Sequence, residues 1–421
     1  MRKLLWLSLL VVSAPVQADV FEAIPILEVG ALHETNPRLD EDDEDDATGL
    51  VLDGRLNMQW ATARTSLDLK PRARFSWYAD GDDDDLEDED FWIDSLLSHQ
   101  TALSEYTLDA GYSTVGVRSS EVESAGDGGG TGSGNVRRAD DSRQTFRIGP
   151  GWSRRLGARN LFSLSGTYTD VDFDKDTLQT GRLPYEYWDG RAAFQRTLNQ
   201  KTDAGIQLEL SRFESSASGA SIDNTSDTYG GSVFGNYRFN ETLTGSAYFG
   251  ARATDVELER QQVGTLPDGS PLCLSAGIFV VPCKENTDDT NFVGSASLRK
   301  EAKRTNFDLS VSRAVTPNSN GGEQVRDSID AVVSRQLTQK LTGRVGLLYF
   351  SQEDVADLTS RSSDYISANV RLSWQLAREW SVFGAYRFVN DDDENLNGFN
   401  EDATNHYFFV GARYKGRGWR R

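Results

Sequence analysis

The stretch Tyr365–Phe388, YISANVRLSWQLAREWSVFGAYRF, decides the fold. Apolar residues alternate with polar ones over Ile366–Leu376, the period of two that places the two sets on opposite faces of a β-strand. After a short polar turn the alternation resumes at Trp380, with Phe383 as its one exception. Two arms of about ten residues, each with one apolar face, are typical of a β-hairpin whose tilted strands cross a bilayer around a wet interior.

Hairpins of this kind repeat along the chain. Short turns recur about every 40 residues, and they lie near Ala61, Ser104, Gly157, Asn199, Asn240, Lys303, Thr338 and Arg378. Long polar segments alternate with these turns, and the pattern indicates about 18 strands, an even number as in bacterial outer-membrane barrels. The predicted fold class is therefore all-β: one closed antiparallel transmembrane β-barrel with short periplasmic turns and long extracellular loops. Pro71 and Pro150 fall within predicted strands, where we expect either β-bulges or strand boundaries that differ from the predicted ones.

The N-terminal residues predict export. Arg2 and Lys3 precede an apolar run over Leu4–Val12, and Val16-Gln17-Ala18 has the small residues of a cleavage site. This order is typical of a Sec signal peptide over residues 1–18, which leaves residues 19–421 as a single barrel domain. No later stretch has the 18 or more apolar residues that a membrane helix requires. The predicted location is the bacterial outer membrane, with lipid, lipopolysaccharide and the barrel assembly machinery as partners.

The formal net charge of −21 argues against nucleic acid as a partner. Acidic residues concentrate in two segments, 38–48 and 80–90, for which two interpretations stay open: solvated loops, or loops that bind divalent cations. The best local pattern begins at Asp393 and resembles the D-x-N-x-N-G start of a calcium loop, although Thr404 stands where the bidentate Glu belongs. The candidate Ca²⁺ ligands are Asp391, Asp393, Asn395, Asn397 and Glu401. No other cofactor is expected.

The two cysteines, Cys273 and Cys283, lie in one predicted loop. In an oxidising export compartment we expect a local disulfide between them, because metal or redox pairs usually have closer spacing or histidine partners.

The polar face of the predicted strands gives the candidate pore lining. Its basic residues outnumber its acidic ones although the chain as a whole is acidic. The predicted lining residues are Arg55, Lys70, Arg72, Arg74, Arg147, Arg191, Arg238, Arg252, Arg344, Arg371 and Arg387. Three hypotheses remain open: an anion-selective pore, a lumen in which opposite charges neutralise one another, and a plugged lumen.

The chain resembles the family of outer-membrane β-barrel porins encoded beside exopolysaccharide synthesis and export genes. The resemblance rests on the signal peptide, a first strand that ends in Asn36-Pro37-Arg38, the acidic first loop, and hairpins through to the C-terminus. It implies a conduit for an anionic exopolysaccharide, with periplasmic export proteins as further partners and no catalytic residues. A general diffusion porin for small solutes is the alternative.

Two further classes fit the sequence less well. An outer-membrane hydrolase needs a nucleophile or base at the outer rim, and the sequence shows no serine nucleophile motif. A soluble or surface adhesin could use the acidic loops. We therefore expect that the protein is not an enzyme.

Overall fold

A computed structural model describes residues 20–39, 46–79, 88–117, 141–174, 182–215, 222–260, 262–265, 271–274, 280–281, 283–318, 322–355, 362–394 and 400–420. The predicted signal peptide lies outside these ranges, as do most of the two acidic segments and the Gly-rich segment 118–140.

Nearly all described residues belong to β-strands, because the two-residue alternation extends over most of the chain. The first eleven strands are β1 (Val20–Glu34), β2 (Ala47–Ala61), β3 (Thr65–Tyr78), β4 (Asp88–Gln100), β5 (Ser104–Gly116), β6 (Ser142–Arg155), β7 (Asn160–Phe173), β8 (Tyr185–Asn199), β9 (Thr202–Ser215), β10 (Ile222–Asn240) and β11 (Leu243–Arg260).

The remaining strands include three short ones within a single connection. They are β12 (Gln262–Thr265), β13 (Pro271–Leu274), β14 (Val280–Val281), β15 (Lys284–Glu301), β16 (Thr305–Asn318), β17 (Gly322–Gln336), β18 (Leu341–Asp354), β19 (Ser362–Gln375), β20 (Trp380–Glu394), β21 (Asn400–Lys415) and β22 (Trp419–Arg420).

Eighteen long strands form one closed antiparallel barrel, which confirms the predicted fold class. Each strand pairs with the next along the chain, and β21 pairs with β1 from Ile26↔Lys415 to Glu34↔Tyr407. The short β22 extends this closing ladder. In the part of the chain that the structure describes, no helix is long and apolar enough to span a membrane.

The turns alternate in length as the repeat predicts. One end of the barrel, the short-turn end, carries eight tight connections such as Thr62–Arg64, where Thr62 N–H donates to Thr65 O at 2.7 Å. The opposite end, the long-loop end, carries the longer connections. β12–β14 form a separate three-stranded sheet within the connection from β11 to β15.

The two faces of the barrel differ in polarity. On the outer face, large apolar side chains stay exposed, for example Leu208 and Leu210 at 64% and 66%. Such a band is typical of strands in contact with lipid. The buried apolar residues instead lie at the long-loop end and form clusters such as Val117, Val171, Phe173, Tyr185 and Phe213.

Pro71 and Pro150 lie inside strands β3 and β6, and the expectation of bulges is wrong. Near each proline the ladder on one side lacks two neighbouring pairs, but the pairing register is the same before and after the gap. A proline without an N–H cannot donate to the ladder, and here the loss interrupts pairing without inserting a residue.

Candidate functional site

The inner face of the barrel carries the predicted lining residues. Strand alternation and ladder register place all eleven cationic side chains there. Several of them are well exposed; for example, the Arg147 and Arg191 side chains keep 42% and 48% of their accessible surface. Since these positions point away from the apolar outer face, the lumen beside them is open to water.

The strongest concentration of positive charge lies on β1–β3, β19 and β21. Glu28 on β1 accepts from two arginines: Arg413 Nε donates to Oε1 at 2.6 Å, and Arg371 Nη2 donates to Oε2 at 3.3 Å. Asp53 on β2 also accepts from two arginines: Arg55 Nε donates to Oδ1 at 2.9 Å, and Arg72 Nε donates to Oδ2 at 2.9 Å. We call these six residues the arginine wall.

In the arginine wall, the arginine side chains are more exposed to the lumen than the carboxylates that bind them. Its two carboxylates are nearly inaccessible, with Glu28 and Asp53 side chains each 7% exposed. The side chains of Arg55 and Arg413 keep 36% and 38% of their accessible surface. The four arginines therefore lie on the solvent side of the two buried carboxylates that orient them.

Aromatic rings hold several of these guanidinium groups in place. The Cζ atoms of Arg72 and Arg371 lie 4.3 Å and 3.7 Å from the ring centroids of Trp92 and Phe383. A guanidinium at this distance is attracted to the negative face of the ring. Phe383, the exception to the alternation of β20, therefore has its ring on the inner face beneath Arg371, and it also contacts Phe409 at 5.3 Å.

A second group, the paired wall, lies on β8, β9 and β11. Arg252 Nε donates to Glu209 Oε2 at 2.8 Å, and Arg191 Nε lies 2.9 Å from Asp189 Oδ1 and 3.6 Å from Glu209 Oε1. Two arginines here match two carboxylates. β9 is ninth of eighteen strands, so this neutral group faces the arginine wall across the lumen.

The other predicted lining cations are spread around the barrel. Arg147 Nη2 bonds to Asp109 Oδ1 at 2.9 Å. Arg387 lies over the Tyr407 ring at 4.7 Å. Arg238 lines a recess of about 260 Å³ at the short-turn end together with Lys201. Lys70, Arg74 and Arg344 face the lumen from β3 and β18.

The long-loop end is narrowed by segments that fold into the lumen, a feature the sequence analysis missed. The first follows β1. Asn36 N–H donates to Asn405 Oδ1 at 3.2 Å, and Asn405 Nδ2 donates to Glu34 Oε2 at 2.9 Å. This buried network turns the chain inward, so that Leu39 is only 4% exposed and packs in a cluster with Phe350. Leu39 has a φ of 52°, a left-handed conformation that is strained for leucine.

A second inward segment is the end of the β16–β17 hairpin, of which residues 314–318 and 322–325 are described; we call these residues the inward tip. Glu323 accepts from the hydroxyls of Ser226 and Thr228 on β10, the latter at 3.2 Å. Arg252 Nη1 donates to Val315 O at 3.2 Å. These bonds reach past β15 and β11, so the tip lies against the inner face of the barrel.

A third buried group lies at the long-loop end near β5–β8. Arg182 is 1% exposed, with Nη1 3.7 Å from Asp141 Oδ2, and Val117 N–H donates to Asp141 O at 2.8 Å. The lumen is therefore wet toward the short-turn end and constricted toward the long-loop end.

At the short-turn end, Arg417 Nε bonds to Glu379 Oε1 at 2.5 Å. This hydrogen bond is the main reason why the pKa of the Glu379 carboxyl is lowered from its ordinary value.

The calcium prediction falls largely outside the described residues. Asn395 and Asn397 are not described, and the backbone pairs Asp393 with Glu401 between β20 and β21. Asp391 is 1% exposed. Among the described residues, no group of three or more His, Cys, Asp or Glu side chains is placed to hold a metal ion.

Cys273 and Cys283 form a disulfide with a Cα–Cα distance of 5.2 Å. It lies in the separate β12–β14 connection and involves no barrel ladder.

Comparison with known proteins gives structural likeness only. No family model and no curated protein matches the chain. Among solved structures it is similar to OccAB4 of Acinetobacter baumannii, with 9% identity, a TM-score of 0.43, and 96% of this chain and 100% of that chain covered.

A crystal structure of OpdK of Pseudomonas aeruginosa with vanillate is similar at 12% identity and a TM-score of 0.43, covering 95% of this chain and 99% of that one. The ferric-catecholate import receptor Fiu of E. coli K12 is similar at 8% identity and a TM-score of 0.46, and the match covers 93% of this chain and 81% of that one. These similarities concern the fold alone. The closure of the barrel is established by its own strand pairing.

Proposed function

We propose that the protein is an outer-membrane channel for anionic solutes, and that an acidic exopolysaccharide leaving the cell is its substrate. The exposed apolar outer face and the polar inner face support a barrel that spans a bilayer and conducts through its lumen.

The arginine wall is the observation that carries the proposal. Its buried carboxylates orient the guanidinium groups, and the Arg371 and Arg413 side chains, 32% and 38% exposed, face water where a solute passes. A guanidinium can bind a carboxylate through two parallel N–H bonds, so each repeating uronic acid of a polymer could exchange from one arginine to the next. Aromatic rings beneath Arg72 and Arg371 keep the donors facing the solute.

General diffusion of small solutes is the second candidate, and two observations favour it. The neutral paired wall faces the arginine wall, which creates a field across the lumen. The inward segments at the long-loop end leave less room for a polymer than the wet short-turn end does.

We propose no catalytic role. All three histidines lie on the outer face, where each has a hydroxyl partner: His33 has Thr48 at 3.1 Å, and His406 has Tyr386 at 2.9 Å. His99 likewise contacts a threonine hydroxyl at 2.9 Å. None of them faces a carboxylate in the lumen.

The proposal is tested by conductance in planar bilayers, with the reversal potential measured in a KCl gradient and trigalacturonate added as the blocker. We expect anion-selective current that the oligomer blocks, and loss of both properties in Arg371→Gln/Arg413→Gln. Arg313→Gln is the matched control, because Arg313 lies on the outer face, paired with Asp327 at 2.7 Å.

Cation-selective current, or equal selectivity in the double variant and the wild type, would overturn the proposal. Anion-selective current that the oligomer leaves unblocked would instead establish the small-solute candidate.

A further inference from the structure

The charged side chains on the outer face are separated by sign between the two ends of the barrel. Among the strand residues that the structure describes, the long-loop half of this face carries mainly acids, for example Asp227, Asp255 and Glu257. The short-turn end of the same face carries no carboxylate but four cations, and they are Arg154, Arg196, Lys300 and Arg335. In a chain with a net charge of −21, this separation indicates that the short-turn end meets a negatively charged surface.

Two of the cations form a site on β6–β8. Arg154 on β6 is opposite Phe162 of the central strand β7, and Arg196 on β8 is opposite Asn160 of the same central strand. The two cations are therefore two strands apart, about 10 Å at the usual strand spacing. The Phe162 ring lies on the strand between them.

The other two cations repeat this arrangement on β15–β17. Lys300 on β15 is opposite Phe307 of the central strand β16, and Arg335 on β17 is opposite Thr305. The central strands β7 and β16 are seventh and thirteenth of the eighteen barrel strands, so the two sites are a third of the circumference apart. Both sites thus have two cations on alternate strands and a phenylalanine on the strand between.

The cations of these two sites are not neutralised within the protein. In the part of the chain that the structure describes, the four strand cations are exposed and form no ion pair. The adjoining strand ends and turns add four more exposed and unpaired cations, which are Arg155, Arg159, Lys303 and Arg304. The carboxylates of the neighbouring strand ends lie on the inner face, where each has its own partner, and they are Glu105, Asp203 and Glu301.

Apolar side chains flank the cations along their strands. Arg196 lies between Phe194 and Leu198, which are 37% and 52% exposed, and Arg154 is followed two residues later by Leu156, which is 58% exposed. Positions two apart in a strand share a face, so these apolar groups and the cations meet the same surroundings. A long cationic side chain among exposed apolar groups is typical of the head-group layer of a bilayer, and a soluble acidic protein would leave those apolar groups in water.

We propose that each of the two sites binds a phospholipid whose head group carries two phosphates. Each strand cation binds one phosphate, and the acyl chains lie along the apolar band beside the central phenylalanine. A head group with one phosphate would leave part of each site without an anion, and a zwitterionic head group would bring an ammonium that the cations repel. The proposal requires that the barrel lie in a membrane, but it does not depend on the ion selectivity of the lumen.

The first test compares lipids on the full-length wild-type protein. Native mass spectrometry is recorded in detergent with equal amounts of cardiolipin, phosphatidylglycerol and phosphatidylethanolamine. We expect two cardiolipin molecules to stay bound at collision energies that remove the other two lipids. Equal retention of phosphatidylglycerol would overturn the assignment to a two-phosphate head group, and equal retention of phosphatidylethanolamine would overturn both sites.

The second test uses variants of the exposed cations. Arg154→Gln/Arg196→Gln should retain one cardiolipin instead of two, and the affinity of the altered site should fall roughly tenfold or more. Adding Lys300→Gln/Arg335→Gln should remove the second lipid. Heat-dependent migration in SDS shows on each sample that the barrel is folded.

The matched control is Arg212→Gln/Arg313→Gln, which removes two outer-face cations from the long-loop half, where both are paired with acids. It should still retain two cardiolipin molecules. Equal loss in the control, or two lipids retained by the fourfold variant, would contradict the proposal. Displacement of cardiolipin by decaglutamate would assign the cations to an acidic protein and would overturn it as well. Reversal potentials recorded on the same samples keep failure of the lipid sites apart from failure of the proposed channel.

Discussion

At the scale of single residues, buried acids determine what the lumen arginines do. Glu28 binds Arg371 and Arg413 from behind, so their remaining donors point toward the solute path. An arginine without such a partner would sample many rotamers and lose more entropy when it binds an anion. The carboxylates thus reduce the net charge of the lumen but order the groups that recognise a ligand.

Replacing Glu28 with Gln should raise anion selectivity, because one negative charge leaves the lumen while both arginines stay. The barrel should lose about 1–3 kcal/mol of stability, since a charged acceptor of several hydrogen bonds is weakened. Reversal potential and the urea midpoint of unfolding measure the two effects.

Glu379→Gln is the control. Glu379 is at the short-turn end and the pKa of its carboxyl is lowered, so its bond to Arg417 weakens only as pH falls through that lowered pKa. If Glu28→Gln behaves like Glu379→Gln, the acid does not order the arginine wall.

Replacing Leu39 with Ala should loosen the first inward segment. Truncating a buried leucine typically costs about 2–5 kcal/mol, and here the loss applies to docking of the segment onto the cluster around Phe350. We expect a larger and noisier single-channel conductance. Leu337→Ala is the matched control, because Leu337 is 48% exposed in a short turn. Unchanged conductance in Leu39→Ala would show that this segment does not limit the current.

At the scale of elements, the sequence predicts which segments form strands but not whether a strand stays in the barrel wall or folds into the lumen. Alternation of Val311 and Val315 with polar neighbours looks the same whether a strand lies in the wall or folds inward. What differs is the partner: Val311 stays exposed at 47%, whereas Val315 is 3% exposed. Ladder partners and contacts across the lumen are long-range, so a local pattern contains no information about them. For the same reason, the ring of Phe383 could not be assigned to Arg371 in advance.

Glu323→Ala should release the inward tip from β10. Without the carboxylate, the hydroxyls of Ser226 and Thr228 lose their shared acceptor, and the tip is held mainly by Arg252 and valine contacts. We expect longer open dwell times in single-channel records. Asp327→Ala is the control on the same strand, since Asp327 pairs with Arg313 on the outer face. Identical dwell times in the two variants would exclude the tip as a constriction.

At the scale of the whole molecule, regular spacing of short turns was enough to predict eighteen strands and barrel closure. The same spacing could not reveal the narrowed long-loop end, because the two inward segments, Asn36–Leu39 and the inward tip, have ordinary loop or strand composition. The prediction of the lining residues rests on alternation alone, whereas their division into an arginine wall and a paired wall depends on which strands face each other across the lumen.

Removing the disulfide with Cys273→Ser/Cys283→Ser should leave the barrel intact. A crosslink of this loop length contributes about 3 kcal/mol at most to the segment it closes, and β12–β14 share no ladder with the barrel. The temperature at which the protein loses its compact migration in SDS should not change, while trypsin should cut the β11–β15 connection faster. A lower unfolding temperature would mean that this connection supports the barrel.

The closing ladder between β1 and β21 also has a consequence for how the chain folds. Apart from its short β1–β22 extension, every other barrel ladder joins long strands that follow one another along the chain and can form from local contacts, whereas pairs such as Ile26↔Lys415 join residues from opposite ends of the sequence. Such non-local pairing is slow, because the entropy lost in bringing the two chain ends together precedes the favourable contacts of the ladder. Until it forms, β1 and β21 are unpaired edges that can recruit a second chain. Closure is thus the step at which folding competes with aggregation.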